Sequence, residues 1–154
     1  MKQKIFFGFV LFISSAIFAR AQAVNLSGSI GNGIIRRGGA AKAVVVLNIP
    51  DSVHTNSSRP NSEYSVPTRV SVTSSGVKVG TVMYPRGKNI KFEFSDEPLN
   101  VYERRAAFYF IVAVPKNYKA NTVNLRAIVD YQACTNEVCY PPKKQEIILT
   151  AKVR

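Results

Sequence analysis

The sequence predicts an all-β sandwich, and three observations carry that expectation. Beyond residue 23 helical periodicity is hard to find, continuous β-branched and aromatic runs take its place, and turn-forming clusters separate those runs at short intervals. The runs KAVVVLNI (42–49) and AAFYFIVAV (106–114) read as strands buried on both faces. Val66–Val72, Val77–Tyr84 and Ile90–Phe94 are shorter candidates. Between them lie NSSRPN (56–61), SSG (74–76), PRGK (85–88) and SDEP (95–98), all rich in residues that favour turns. The glycines of GSIGNGIIRRGG (28–39) do not follow a strand with phosphate-loop spacing, and the stretch is expected to be a flexible N-terminal segment.

The clearest alternation runs through Val123, Leu125, Ala127, Val129, Tyr131 and Ala133, with Asn124, Arg126, Ile128, Asp130 and Gln132 between them. Odd positions face the core, and a continuing pleat puts Cys134 on the outward, polar face. The last strand repeats the pattern, with Ile147, Leu149, Ala151 and Val153 inward and Glu146, Thr150 and Lys152 outward. The two strands cannot pair in one unbroken register. Placing Cys134 opposite Cys139 sets Arg126 opposite Ile147, although directly opposed residues share a face. A one-residue slip is expected at Pro141-Pro142, because neither proline can donate to the ladder. The cysteine pair then sits at an irregular hairpin tip. Trp is absent and no widely spaced Cys pair exists, so an antibody-type disulfide between sheets is excluded, though the architecture is not.

At the start of the chain, Lys2 and Lys4 precede an apolar run from Ile5 to Phe18 that ends in the small-residue sequence ARAQA (19–23). This is the pattern of a secretory signal peptide over residues 1–23, with cleavage expected near Ala23. The run is shorter than the roughly twenty residues of a spanning helix, and no stable membrane insertion is expected. Residues 24–154 then form one domain, periplasmic or secreted, where disulfides persist. That segment keeps 18 of the 21 basic residues and all 9 acidic ones, a formal charge of 18 minus 9, or +9. The basic residues are scattered in pairs such as Arg36-Arg37 and Arg104-Arg105, which disfavours nucleic-acid binding; attraction to acidic partners or anionic envelope surfaces is the milder implication.

Both cysteines lie in YQACTNEVCYPPKK (131–144), separated by four residues. Cross-strand neighbours at a hairpin tip can meet disulfide geometry. Closing so small a loop stabilises by only about 2 kcal/mol, against nearly 5 for a loop of a hundred residues. A structural staple therefore remains one reading and a reactive pair another. The reactive reading rests on the outward register of Cys134, the tip position, Lys143 and Lys144 as thiolate-favouring charges, and Tyr131 and Tyr140 as shields for the sulfurs. Glu137 opposes it. Zinc is disfavoured, since four ligands are usual and the single histidine, His54, lies far away in sequence. His54 itself reads as a satisfied structural residue.

The ending YQACTNEVCYPP, with VHTNSSRP (53–60), VPTRVSV (66–72), VMYPRGKNIKFEF (82–94) and LNVYE (99–103), resembles the N-terminal periplasmic domain of the thiol:disulfide interchange protein DsbD. The resemblance covers nearly all of residues 24–154. It implies an immunoglobulin-like antiparallel β-sandwich whose cysteines cycle between dithiol and disulfide, relaying electrons from thioredoxin-like redox proteins to envelope thiol proteins. By position, Cys139 matches the cysteine that forms mixed disulfides and Cys134 its resolving mate. The family's cap loop corresponds to Phe94–Tyr102, with Phe94 or Leu99 as the cap residue, while Phe92 reads as core. Asp96 and Glu97 read as a solvated turn. Two departures stand out. Full-length DsbD supplies a transmembrane bundle, a second thioredoxin-like domain and a Cys-x-x-Cys motif that this sequence lacks, so separate proteins are expected to reduce it unless it has taken another role. The best-known members also have one more residue between the cysteines, and the tighter loop is expected to raise the disulfide's potential.

The expected chemistry is thiol–disulfide exchange by a monomer, which needs no metal or organic cofactor. The rival is a non-catalytic binding module that keeps a local disulfide for rigidity. A hydrolase finds little support, since no Gly-x-Ser-x-Gly elbow is present and a triad would have to form around His54.

Overall fold

The computed structural model describes residues 24–154, and the leader expected over 1–23 lies outside them. Twelve strands form among the described residues: β1 (Asn25–Ile30), β2 (Ile34–Ile35), β3 (Ala40–Asn48), β4 (His54–Asn56), β5 (Arg69–Thr73), β6 (Lys78–Val79), β7 (Lys88–Ile90), β8 (Leu99–Glu103), β9 (Arg105–Ala113), β10 (Thr122–Tyr131), β11 (Ala133–Cys134) and β12 (Lys143–Val153). No helix occurs among them, so none is long and apolar enough to cross a membrane.

The strands order as β1-β3-β9-β6 in one sheet, β2-β12-β10-β5 in a second and β11-β4-β8-β7 in a third. All pairings are antiparallel except the short β2–β12 contact. The first two sheets enclose the main core. Ala43, Val45 and Leu47 of β3 and Phe108, Phe110 and Val112 of β9 meet Val123, Leu125, Ala127, Val129 and Tyr131 of β10 and Leu149, Ala151 and Val153 of β12. The period-2 pattern thus buries the odd residues of β10 and, in β12, Leu149, Ala151 and Val153 as expected, with Ile147 half-buried against the same core.

The glycine-rich stretch departs from expectation, because it is ordered sheet rather than a flexible segment. β1 pairs with β3 along its whole length, and β2 lies beside β12. Gly28 marks a close approach: a Cβ there would stand 2.4 Å from the Val44 carbonyl oxygen and 2.8 Å from the Leu149 side chain. Gly31 and Gly33 take φ of 48° and 85° in the turn that follows, a backbone region where glycine carries no steric penalty.

The third sheet grows from strands that leave the sandwich, and it positions the cysteines. β8 runs into β9 through Arg104, whose φ of 58° turns the chain from the third sheet into the first. β10 passes into β11 through Gln132, from the second sheet into the third. The register slip falls where the prolines predict it. Tyr131 pairs with Lys143, whereas the Tyr140 amide donates to the Ala133 carbonyl at 2.8 Å, so Gln132 alone stands opposite Pro141 and Pro142.

Three expected strands are shorter than their apolar runs. β5 begins at Arg69, and Val77–Tyr84 reduces to β6 plus a bridge between Met83 and Tyr109. β7 ends at Ile90, because the chain then turns: the Ser95 amide donates to the Phe92 carbonyl, and the Lys91 ammonium donates to the carbonyls of Ser95 and Asp96. Phe92 and Phe94 therefore lie on a loop.

Candidate functional site

The hairpin tip holds itself together by hydrogen bonds on both sides of the sulfurs. Beyond the cysteines, the Thr135 amide donates to the Val138 carbonyl at 2.8 Å, and the Thr135 hydroxyl accepts from the amides of Glu137 and Val138 at 3.2 and 3.1 Å. A threonine that caps its own turn is the local reason the chain reverses here. Before the cysteines stands the Ala133–Tyr140 bond. Cys134 and Cys139 therefore oppose each other as a non-hydrogen-bonded pair, the closer type of cross-strand pair, and are joined by a disulfide.

The two cysteines differ sharply in access. Cys139 is exposed and Cys134 is wholly buried. Exposure of Cys134 on a polar face was the expectation from the pleat, and it is corrected. Alternation does continue, since Tyr131 and Ala133 pack on the main core while Cys134 falls on the other face. That face is covered rather than wet. Ile90, Phe92, Leu99 and Val101 form a second, smaller apolar cluster there.

Registers across the third sheet set Cys139, Cys134, His54 and Glu103 in one lateral row. Directly opposed residues share a face. His54 is 3% exposed, its Nε2 is buried with no hydrogen-bond partner among the described residues, and its ring stacks on Phe92 with centroids 4.1 Å apart. Burial holds its imidazole below the ordinary histidine range, against a smaller upward pull from Glu103. Lys88 stands 3.5 Å from the Glu103 carboxylate. His54 is therefore not the hydrogen-bonded structural histidine that the sequence suggests.

Phe94 is 43% exposed and stacks on Phe92 at 5.4 Å, the outermost of three rings. Leu99 is buried within the smaller cluster, Tyr131 is buried in the main core, and Tyr140 is exposed at the hairpin end. Lys144 is engaged by Asp130 at 2.9 Å, while Lys143 lies exposed opposite Tyr131. Among the described residues no three His, Cys, Asp or Glu side chains gather as metal ligands.

Two participants were missed in the sequence. Gln132 fills the bulge, donating to the Tyr140 carbonyl at 3.1 Å and accepting from Asn56 at 3.4 Å. Its signal was its place as the single residue that the register slip leaves opposite two prolines. His54 had no such signal, because its neighbours in space, Phe92, Phe94, Glu103 and Cys134, all lie far from it in sequence.

The family model of the thiol:disulfide interchange protein DsbD, N-terminal, matches residues 34–151. Among solved structures, the reduced N-terminal domain of DsbD from Neisseria meningitidis is similar at 17% identity, over 82% of this chain and 89% of that one, with a TM-score of 0.47. The N-terminal periplasmic domain of ScsB from Proteus mirabilis is similar at 15% identity, over 82% of this chain and 44% of that one, with a TM-score of 0.51. No curated protein matches the chain. A family match over most of the length, an immunoglobulin-like all-β sandwich and one bonded cysteine pair agree with one another, and the chain belongs to the DsbD N-terminal domain family.

Proposed function

We propose that the protein is an extracytoplasmic electron relay that exchanges its one disulfide with thioredoxin-like redox proteins on one side and envelope thiol proteins on the other. The observation that carries this is the asymmetry of the pair: Cys139 exposed, Cys134 buried beside it. An incoming thiolate reaches Cys139, forms a mixed disulfide there and releases Cys134, which stays inside the fold for the return step. Phe94 acts as the cap, with Phe92 beneath it, and slows adventitious thiols and oxidants. Residues 1–23 direct export and are removed near Ala23.

The turn supports exchange over a staple role. The bonds that Thr135 makes with Glu137 and Val138, and the one from the Tyr140 amide to the Ala133 carbonyl, hold the tip through atoms other than the sulfurs. A Cys134→Ser protein, produced with the envelope proteins of its own cell, is expected to accumulate reducible adducts through Cys139. Cys139→Ser is expected to accumulate none. Consistent absence of adducts in the first variant would refute the relay.

A further inference from the structure

We infer that His54 is a further catalytic residue of this exchange, the base that takes the proton of the Cys134 thiol when the pair recloses; the inference rests on the relay reading. Three observations place it there. Cys134 and His54 are directly opposed on β11 and β4, so their side chains share a face with β-carbons roughly 5 Å apart. Both side chains are buried, which keeps water from serving as the proton acceptor. His54 Nε2 is the one buried polar side-chain atom in the cysteine row without a partner among the described residues.

The chemistry follows from this placement. In the mixed disulfide, Cys139 Sγ is bonded to the partner's sulfur and Cys134 is a buried thiol. Desolvation disfavours a free thiolate at such a site. As Cys134 Sγ attacks Cys139 Sγ, its proton passes to His54 Nε2, the sulfur–sulfur bond to the partner breaks, and the partner leaves as a thiolate that takes up the bonding electron pair. One disulfide forms, one breaks, and the imidazolium and the departing thiolate balance in charge. The reverse sequence protonates Cys134 from the imidazolium when the protein is reduced. The surroundings are suited to a neutral base. Glu103 faces His54 from β8 and is itself held by Lys88 of β7, the segment after β7 presents the rings of Phe92 and Phe94, and β11 presents Cys134. Burial keeps the imidazole unprotonated at neutral pH, while Glu103 stabilises the imidazolium when it forms.

The test separates the two steps of oxidation. The reduced, untagged protein is mixed with glutathione disulfide, quenched in acid and analysed by mass for the glutathione adduct and for the closed pair. His54→Gln is expected to form the adduct at the wild-type rate and to close it about a hundredfold more slowly, the low end of what a positioned base supplies. Wild-type closure is expected to rise with pH and level off below the ordinary histidine range, whereas the variant keeps rising into the alkaline range. Closure at the wild-type rate, or equal slowing of both steps, overturns the assignment and leaves the relay standing. A wild-type dithiol that never reacts with the probe overturns the relay and this inference together. Should the variant fail to fold, the wild type still decides: His54 is the only histidine, so its ring resonances report it alone. Their titration is expected to differ between the disulfide and dithiol forms, and identical titration would overturn the inference.

Discussion

The rings of His54 and Phe92 lie nearly parallel, 16° apart in plane, and Phe94 continues the stack at 19° to Phe92. Exposure rises outward along it, from 3% at His54 through 8% at Phe92 to 43% at Phe94. One end of the stack is therefore packed interior and the other is surface. The segment carrying both phenylalanines is a turn held by Lys91, a few hydrogen bonds that can open without breaking a sheet.

That gradient separates two substitutions of the same residue type. Phe94→Ala is expected to change stability by no more than about 0.5 kcal/mol, as at an ordinary surface site, while speeding reduction of the disulfide by dithiothreitol severalfold. Phe92→Ala removes a buried ring and is expected to cost about 3 kcal/mol. Urea melts and stopped reduction assays on both variants check this. Equal reduction rates in Phe94→Ala and wild type would remove the cap role from Phe94.

Lys91 supplies a second way to loosen the same turn. Its ammonium is the donor that gathers the carbonyls of Ser95 and Asp96, and methionine in its place keeps the aliphatic stem without the charge. Lys91→Met is expected to speed disulfide reduction in the same direction as Phe94→Ala. Because both act by opening one loop, the double variant should gain less than the product of the two singles. Multiplicative gains would mean that the turn and the ring gate independently.

The sandwich was legible because its signals are local. Period-2 burial in β10 and β12 needs only neighbouring residues, and the conflict between Cys134–Cys139 and Arg126–Ile147 forced a slip that Pro141-Pro142 then absorbed. The site was half legible for the same reason. The pleat placed Cys134 on the correct face, but what covers that face comes from β7, β8 and the loop after β7, none of them adjacent in sequence. Burial of Cys134 and the opposition of His54 are consequences of strand order, which alternation does not encode. The glycine-rich stretch misled differently, since Gly28 serves close approach to β3 and looks the same in sequence as a glycine that serves flexibility.

Acidification should expose the state of His54. Its folded pKa is depressed, so the folded protein binds that proton less readily than the unfolded chain does. The stability gained by keeping the ring neutral is fully present above the unfolded value, near pH 6.5, and is lost as pH falls through the lower folded value. The Tm of the oxidised protein is expected to fall between about pH 7 and pH 5, with a shallower slope in His54→Gln. Glu146, whose carboxylate is held below its ordinary range by Arg126, titrates in a separate and more acidic window. Parallel slopes in the two proteins would show that the imidazole is not protected from protonation.

Gln132 braces the bulge that carries the chain from the second sheet to the third. Its amide joins the Tyr140 carbonyl to Asn56 of β4, and alanine leaves both without that partner. Gln132→Ala is expected to cost about 1 kcal/mol for the lost hydrogen bonds, read from the denaturant midpoint. Protection of the Tyr140 amide from hydrogen exchange should fall by more than the global change, because that bond closes the hairpin just before the cysteines. A uniform loss of protection would mean that the bulge has no local stability of its own.

Reduction should leave the protein folded, and that expectation tests the relay against the staple. The loop between Cys134 and Cys139 is short, so opening it returns only about 2 kcal/mol of chain entropy to the unfolded state. The bonds of Thr135 and the Ala133–Tyr140 pair do not involve the sulfurs and are expected to persist on reduction, and the main core contains neither cysteine. Urea melts of the oxidised and reduced protein are expected to differ by about 2 kcal/mol with the same m-value, both transitions remaining cooperative. Equilibration with glutathione buffers should place the potential above about −300 mV, where exchange proteins lie. A protein that unfolds on reduction, or holds its disulfide below that potential, is using the bond as a staple.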